Sequence, residues 1–127
     1  MTLIFHNPPT VPDPHGGYAH AVEVQSGARL LFISGQIPGA ENGAAPPTFE
    51  YQCRAVWEHI IALLESAGMT THDLVKVTTF LTHADQVEIN GQIRREILGD
   101  HTPALTVIIA ATLQSNWMLE TEAIAAV

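Results

Sequence analysis

A nearly continuous apolar stretch occupies residues 102–113, near the C-terminal end of the chain. Pro103 stands at its start, where a strand tolerates the missing N–H of a proline. Both sets of alternate positions that follow are apolar, a pattern typical of a strand buried on both faces. Thr, Val and Ile dominate over about nine residues, which favours a strand over a helix. We therefore predict a central strand here, which the rest of the chain must cover.

Five further segments have the composition or the alternation of strands. They are residues 1–5, 18–25, 29–34, 73–81 and 118–127. The Ser26-Gly27 pair between the second and the third is a turn signal, so the sequence predicts that these two segments form a hairpin. The first segment is short, and we expect it at the edge of a sheet.

A long amphipathic helix is predicted over residues 48–67, because apolar residues recur there at three- and four-residue spacing. Thr48 is placed to cap its first turn, since a threonine hydroxyl accepts from a free backbone N–H. Gly68 stands where a glycine commonly ends a helix.

A second helix is predicted up to Leu98, opened by a capping sequence at residues 82–85 and stopped by Gly99. Gly91 lies inside this helix. A glycine in a helix interior costs about 1 kcal/mol relative to alanine, so this residue is unfavourable for the helix by itself.

The predicted elements follow the order β-β-β-α-β-α-β-β, which indicates an α+β fold. Two helices can cover one face of one sheet. At least three strands are apolar on their second face as well, and such a face is not left in contact with water. We therefore expect an obligate oligomer in which sheet packs against sheet.

The length of 127 residues and the hydrophobic content of 46% indicate one folded domain, residues 1–127, and exclude disorder. No apolar run approaches the roughly 20 residues that span a membrane, and the N-terminus lacks the pattern of a secretory signal. The single cysteine, Cys53, stands at an apolar helical position, where we expect a buried small hydrophobe. These features favour a cytoplasmic protein without membrane contact.

The net charge of −8, with only five basic residues, argues against a nucleic-acid partner, because such binding depends on neutralising phosphates. The same shortage leaves few anchors for an anionic substrate. The basic residues are Arg29, Arg54, Lys76, Arg94 and Arg95.

Glu120 and Glu122 are the clearest candidates for chemistry. They are two residues apart in the last predicted strand, so they point to the same face. Mutual repulsion and partial desolvation would raise a carboxyl pKa there, as general acid–base catalysis near neutrality requires. The alternative is that this strand lies at an edge and that both glutamates are solvated.

Seven histidines raise the question of a metal site, but none of their spacings is a ligand pattern and no CxxC pair exists. We expect no metal. Ser34-Gly35 does not form a GxSxG elbow, although Gly35 would allow backbone N–H groups to approach a ligand.

Several short motifs resemble the RidA/YjgF family in order and at near-family spacing. They are residues 17–22, 31–38, 63–68, 73–78, 103–104 and 119–125, together with Gln52 and Asn90. The resemblance implies a chorismate-mutase-like fold, with a six-stranded mixed sheet and two helices on one face. It also implies a homotrimer, in which three sheets line a central barrel and small molecules bind in clefts between subunits.

Active members of that family hydrolyse 2-imino or enamine acids to 2-oxo acids and ammonia without metal or cofactor. By this resemblance Glu120 is the water-orienting catalytic residue and Tyr18 is a pocket wall. Ser34 and Gly35 supply pocket backbone, and Asn90 has a structural role.

The chain departs from the family pattern where an arginine after Pro-Ala grips the substrate carboxylate, because Leu105 stands at that position. A charge-assisted arginine–carboxylate contact contributes roughly 1.5–3 kcal/mol. Val107 also replaces a frequent cysteine. We therefore expect an apolar pocket and poor turnover of the usual 2-imino acids, unless Arg29, Arg94 or Arg95 of a neighbouring subunit supplies the anchor.

These patterns favour a hydrolase of an imine, enamine or related compound. A trimer that binds a small ligand at its subunit interfaces without turnover is the alternative. A structural or chaperone-like trimer and an endoribonuclease are weaker possibilities, and the negative charge argues against the last.

Overall fold

The computed structural model describes residues 3–39 and 44–127. Six strands and two helices follow the predicted order. They are β1 (Ile4–His6), β2 (Ala21–Glu23), β3 (Leu30–Gln36), α1 (Phe49–Ser66), β4 (Leu74–Leu81), α2 (Val87–Leu98), β5 (Ala104–Ile109) and β6 (Leu119–Ala126). The α+β class and the order of elements are therefore confirmed. The predicted first strand began at residue 1, and residues 1 and 2 lie outside the described range.

The strands form two hydrogen-bonded groups rather than one six-stranded sheet. Four strands lie in the order β3-β6-β4-β5, with β4 and β5 parallel and the other neighbours antiparallel. β1 and β2 pair separately, and a single bridge between Ala19 and Ala104 joins the two groups. The predicted hairpin of the second and third segments is wrong. β2 pairs with β1 through mostly exposed residues. β3 pairs with β6, where the buried Ile33 lies opposite the buried Ala123, and this match of apolar faces favours the long-range partner over the local turn.

We expected the apolar strand β5 at the centre of the sheet, and within one chain this expectation is wrong. β5 lies at the edge of the four-stranded sheet, and its only ladder partner among the described strands is β4. Ile108 and Ile109 remain 46% and 51% exposed. β5 therefore carries apolar side chains that a single chain leaves partly exposed to solvent.

Helix α1 begins and ends where its sequence predicts. The Thr48 hydroxyl accepts from the backbone N–H of Tyr51, and Gly68 has a φ of +71°. The residues that share its inner face pack into the core. They are Cys53, Val56, Trp57, Ile60 and Leu64.

Helix α2 begins later than its capping sequence suggests. The capping box pairs His83 with Gln86, whose side-chain oxygen accepts from the N–H of Thr82 at 3.1 Å and of His83 at 3.0 Å. The box is thus shifted by one residue, because Gln86 has the reach that the shorter Asp85 lacks.

Both helices cover the same face of the four-stranded sheet, and the opposite face stays open. Val77, Leu119 and Ala123 point toward the helices and are buried. On the open face Phe32 is 69% exposed, and Leu30 is 52% exposed. No helix among the described residues is long and apolar enough to cross a membrane.

Candidate functional site

Glu120 lies on the open face of the sheet, in the middle of its edge-to-edge width. It occupies β6 directly opposite Phe80 of β4. Its half-buried side chain lines a cavity of about 410 Å³ with Phe80 and with the segment that follows β5, residues 110–113. The carboxylate therefore combines an apolar wall with access from outside the chain.

Gly35 provides the space that the Glu120 carboxylate occupies. β3 has an irregularity between Ile33 and Gln36, and Gly35 lies within it. A Cβ atom at Gly35 would overlap the carboxylate of Glu120. This contact places the Ser-Gly pair of β3 directly beside the Glu120 carboxylate of β6. Ser34 is exposed beside it, and its carbonyl accepts from the Gln36 side chain at 3.0 Å.

Glu122 shares the face of Glu120, as its spacing predicts, but it differs in environment. It pairs with Thr78 of β4 and is exposed. Of the two glutamates, only Glu120 lines one of the cavities described here and touches Gly35. The geometry therefore favours Glu120 as the functional carboxylate.

Tyr18, Leu105 and Val107 meet in a second cavity of about 330 Å³ between β5 and α2. Asn90 and Arg94 of α2 also line it. The remaining wall residues are His15, Gly16, Val87, Glu88, Gly91 and Arg95. Three of the five predicted substrate-binding residues are thus brought together, whereas Gly35, with Ser34 next to it in the chain, lies beside Glu120.

The two cavities lie on opposite faces of the sheet. Leu105 pairs with Val77, whose side chain points to the helices, whereas Glu120 pairs with Phe80. Positions 77 and 80 are an odd number of residues apart, so their side chains point to opposite faces. One chain therefore does not assemble Glu120 and Leu105 into a single site.

Arg94 is the most unusual side chain of the second cavity. It is only 6% exposed, and its Nη2 donates to the Gly16 carbonyl at 2.7 Å. Its Nε is buried without a partner among the described residues. Burial lowers the pKa of the Arg94 guanidinium, and the like charge of Arg95 lowers it further.

The two other arginines left open by the sequence take different positions. Arg95 lies in the same cavity as Arg94 and Leu105 of its own chain. The sequence left open whether such an arginine comes from a neighbouring subunit. Arg29 donates to the Ala67 carbonyl at the end of α1 and lines none of the cavities described here. The unfavourable glycine inside helix α2, Gly91, was the sequence signal for this cluster. A Cβ added at Gly91 would lie 2.9 Å from Nη1 of Arg95, so the glycine leaves room for the guanidinium.

Cys53 is buried behind the second cavity, where its thiol donates to Oδ1 of Asn90 at 3.7 Å. Burial raises the pKa of the Cys53 thiol to about 12, although the positive charges of Arg54 and Arg94 act in the opposite direction. The thiol is therefore almost entirely protonated at pH 8, and the thiolate is the reactive form.

We expect Cys53 to react with a thiol-specific reagent about 100-fold more slowly in the native protein at pH 8 than in urea, because native access and ionisation are both suppressed. Absorbance of the released reagent group measures both rates. Equal rates would show that the thiol is accessible in the native state and would contradict the expectation.

Among the histidines of the described residues, the rings of His72 and His101 lie 5.5 Å apart between their centroids. His101 is buried and bonds the Leu74 carbonyl at 2.7 Å, and His6 contacts Glu23 at 2.8 Å. The described residues contain no group of three or more His, Cys, Asp or Glu side chains that could hold a metal ion.

Comparison with known proteins gives the family. A model described as Endoribonuclease L-PSP matches residues 9–127. A RutC family protein of Pyrococcus abyssi is 33% identical over 116 residues, which cover 90% of this chain and 89% of that protein. The chain belongs to the RidA/YjgF family. TdcF of Escherichia coli, whose name places it among the reactive intermediate deaminases, is 29% identical over 118 residues, covering 90% of this chain and 89% of TdcF.

Solved structures of Rid proteins confirm the fold. The crystal structure of the Rid protein YyfB from Yersinia pestis has a TM-score of 0.84 at 28% identity, and the match covers 100% of both chains. E. coli TdcF with bound serine has a TM-score of 0.71 at 26% identity, covering 98% of each chain. The expected RidA/YjgF fold is therefore confirmed for this chain.

Proposed function

We propose that this chain is a RidA-like hydrolase of imines, enamines or related reactive compounds, and that it acts without metal or cofactor. The observation that carries the proposal is the Glu120 carboxylate, held against Gly35 and Phe80 in a cavity of the open face. The name of the relative TdcF, a reactive intermediate deaminase, supports the same class of reaction.

The reaction that Glu120 would support is the addition of water to a C=N bond. The carboxylate accepts a proton from water as the oxygen bonds to the carbon of the protonated imine, and the π electrons move to nitrogen, which gives a neutral carbinolamine. Glu120 then returns its proton to the carbinolamine nitrogen, so it ends in its initial state. The C–N bond breaks, ammonia leaves with the bonding electrons, and a carbonyl forms as the hydroxyl proton passes to solvent.

We further propose that the working form is a homotrimer whose clefts join two subunits. Support comes from the separation of Glu120 and Leu105 onto opposite faces of the sheet, since a second subunit is needed to bring these groups together. The open face adds a second argument, because monomers rarely expose a contiguous apolar patch around side chains such as Phe32 and Leu30.

The lining of the second cavity bears on the substrate. Leu105 and Val107 offer only apolar surface at the position from which family members grip a carboxylate. A carboxylate bonded directly to the imine carbon therefore has no charged partner on β5. We infer that the usual short 2-imino acids are not the preferred substrates. The charge of −8 also disfavours a nucleic-acid substrate.

Ammonia release from a panel of imines tests this function. We expect 2-iminopropanoate and 2-iminobutanoate, generated in situ by an amino-acid oxidase, to be turned over at least about tenfold less efficiently than imines without a carboxylate on the reacting carbon. A rate on the short 2-imino acids equal to that of an arginine-bearing relative would contradict the substrate preference. No turnover of any imine would favour the alternative, a binding protein without catalysis.

A further inference from the structure

We propose that the cavity between α2 and β5 binds a small anionic group, a carboxylate or a phosphate, through Arg94 and Arg95. The inference rests on the proposed function in taking this cavity as part of the substrate cleft. It adds to that function a substrate class: a compound whose negative charge is held by the helix rather than by β5.

The two guanidinium groups converge on one point although their charges repel. The position that a Cβ of Gly91 would take is 2.9 Å from Nη1 of Arg95 and 3.8 Å from Nη2 of Arg94. The corresponding position at Gly16 is 3.9 Å and 3.8 Å from the same two atoms. Nη1 of Arg95 and Nη2 of Arg94 are therefore no more than about 7 Å apart, a separation at which like charges repel. An anion that contacts both groups would offset this repulsion.

Neither arginine has a counterion within the part of the chain that the structure describes. The ion pairs there involve His6, Arg54 and His72, with none from Arg94 or Arg95. Glu88 lines the same cavity, but it is exposed and makes no ion pair with either. Water hydrates an unpaired charge at the protein surface, whereas a buried charge needs a charged or hydrogen-bonding partner.

Arg94 is such a buried charge. Only 6% of the residue is exposed, and its side chain makes a single hydrogen bond among the described residues, to the Gly16 carbonyl. A buried cation without a partner is strongly destabilising, and a carboxylate or phosphate compensates it with charge-assisted hydrogen bonds. A guanidinium suits both anions, because its planar donors match two oxygens at once.

Asn90 adds a neutral donor to the same wall. Its Oδ1 accepts from Cys53, so its Nδ2 remains to donate and has no partner among the described residues. Opposite these polar groups lie Tyr18, Leu105 and Val107. The cavity thus offers donors on the helix side and apolar surface on the strand side, which fits an anion attached to an apolar body.

Calorimetric titration of the full chain with benzoate, benzamide and inorganic phosphate tests the proposal, because none of these probes requires turnover. We expect benzoate to bind wild type at least about tenfold more tightly than the isosteric, uncharged benzamide. Arg95→Gln should remove about tenfold of the benzoate affinity and leave benzamide unchanged. Arg29→Gln, which removes the same charge from an exposed arginine elsewhere, is the matched control and should bind like wild type.

Gly91→Ala separates a binding role from a structural one. Alanine favours the interior of α2 by about 1 kcal/mol over glycine, so the thermal midpoint should rise. The added methyl displaces the Arg95 guanidinium, so benzoate affinity should fall. Phosphate binding tighter than benzoate would assign the anion to a phosphate group, and the reverse order to a carboxylate.

Equal binding of benzoate and benzamide, or equal loss in the Arg95 and Arg29 variants, would overturn the anion site. Absence of binding by every probe would do the same. Ammonia release without any preference for anions in the titration would leave the proposed hydrolase intact and refute only this inference. Anion binding without turnover of any imine would support this inference and contradict the proposed hydrolase.

Discussion

Replacing Glu120 with glutamine is expected to lower kcat for ammonia release by about 100-fold or more, the usual effect of removing a general base. Glutamine keeps the size and the hydrogen-bonding reach of the side chain but cannot accept a proton from water. Steady-state release of ammonia from the best imine of the panel measures the effect. The thermal midpoint should change little, because the carboxylate is half-buried and makes no ion pair among the described residues.

Glu122→Gln is the matched control for this experiment. It removes the same charge two residues away on the same face, but from an exposed side chain opposite Thr78. We expect it to keep kcat within about twofold of wild type. If both variants lost activity equally, the effect would come from the charge of the face as a whole. If Glu122→Gln alone lost activity, our assignment of the carboxylate would be wrong.

Local signals in the sequence were sufficient for the helices and for the identity of most strands. Thr48 caps α1 and Gly68 ends it as expected, because capping and helix termination depend on a few adjacent residues. The alternation of Glu120 and Glu122 likewise predicted their common face. A period of two residues determines that face in a strand, whatever the strand's neighbours.

Strand pairing was not predictable in the same way. The turn signal at Ser26-Gly27 favoured a hairpin, yet β3 pairs with β6, nearly a hundred residues later. Such pairing depends on the fit of whole faces, which no local window contains. The edge position of β5 was not predicted either, because it too depends on contacts outside any local window. Its apolar residues reflect burial that one chain does not provide.

The candidate site was predicted as a set of residues but not as a geometry. The resemblance selected Glu120, Gly35, Tyr18 and Leu105, and the structure divides them between two faces of one sheet. Arg94 and Arg95 entered only as basic residues that another subunit could contribute. Their convergence on Gly91 depends on how α2 lies over β5, a tertiary relation that spacing along the helix does not reveal.

Phe32→Glu is expected to dissociate the proposed trimer and to abolish activity with it. Phe32 is 69% exposed on the open face and pairs with Ile124 of β6. If three such faces pack together, a glutamate there places a charge in an apolar interface, which is strongly unfavourable without a partner. Because Phe32 contributes little to the core of its own chain, the monomer should still fold.

Light scattering after gel filtration measures the first effect. We expect wild type at three times the 13.7 kDa mass of one chain and Phe32→Glu at that mass. Ammonia release should fall about 100-fold or more, because Glu120 and the Leu105 cavity would then belong to separate molecules and the reacting groups would lose their positioning.

Tyr51→Glu is the control for a charge placed on an exposed aromatic position. Tyr51 is 63% exposed on α1, on the side of the chain opposite the open face, so its replacement should leave both mass and activity unchanged. A Phe32→Glu protein that stays trimeric and active would show that the open face is not the interface. A monomeric protein with full activity would show instead that one chain completes the site, which would contradict the division of the site between subunits.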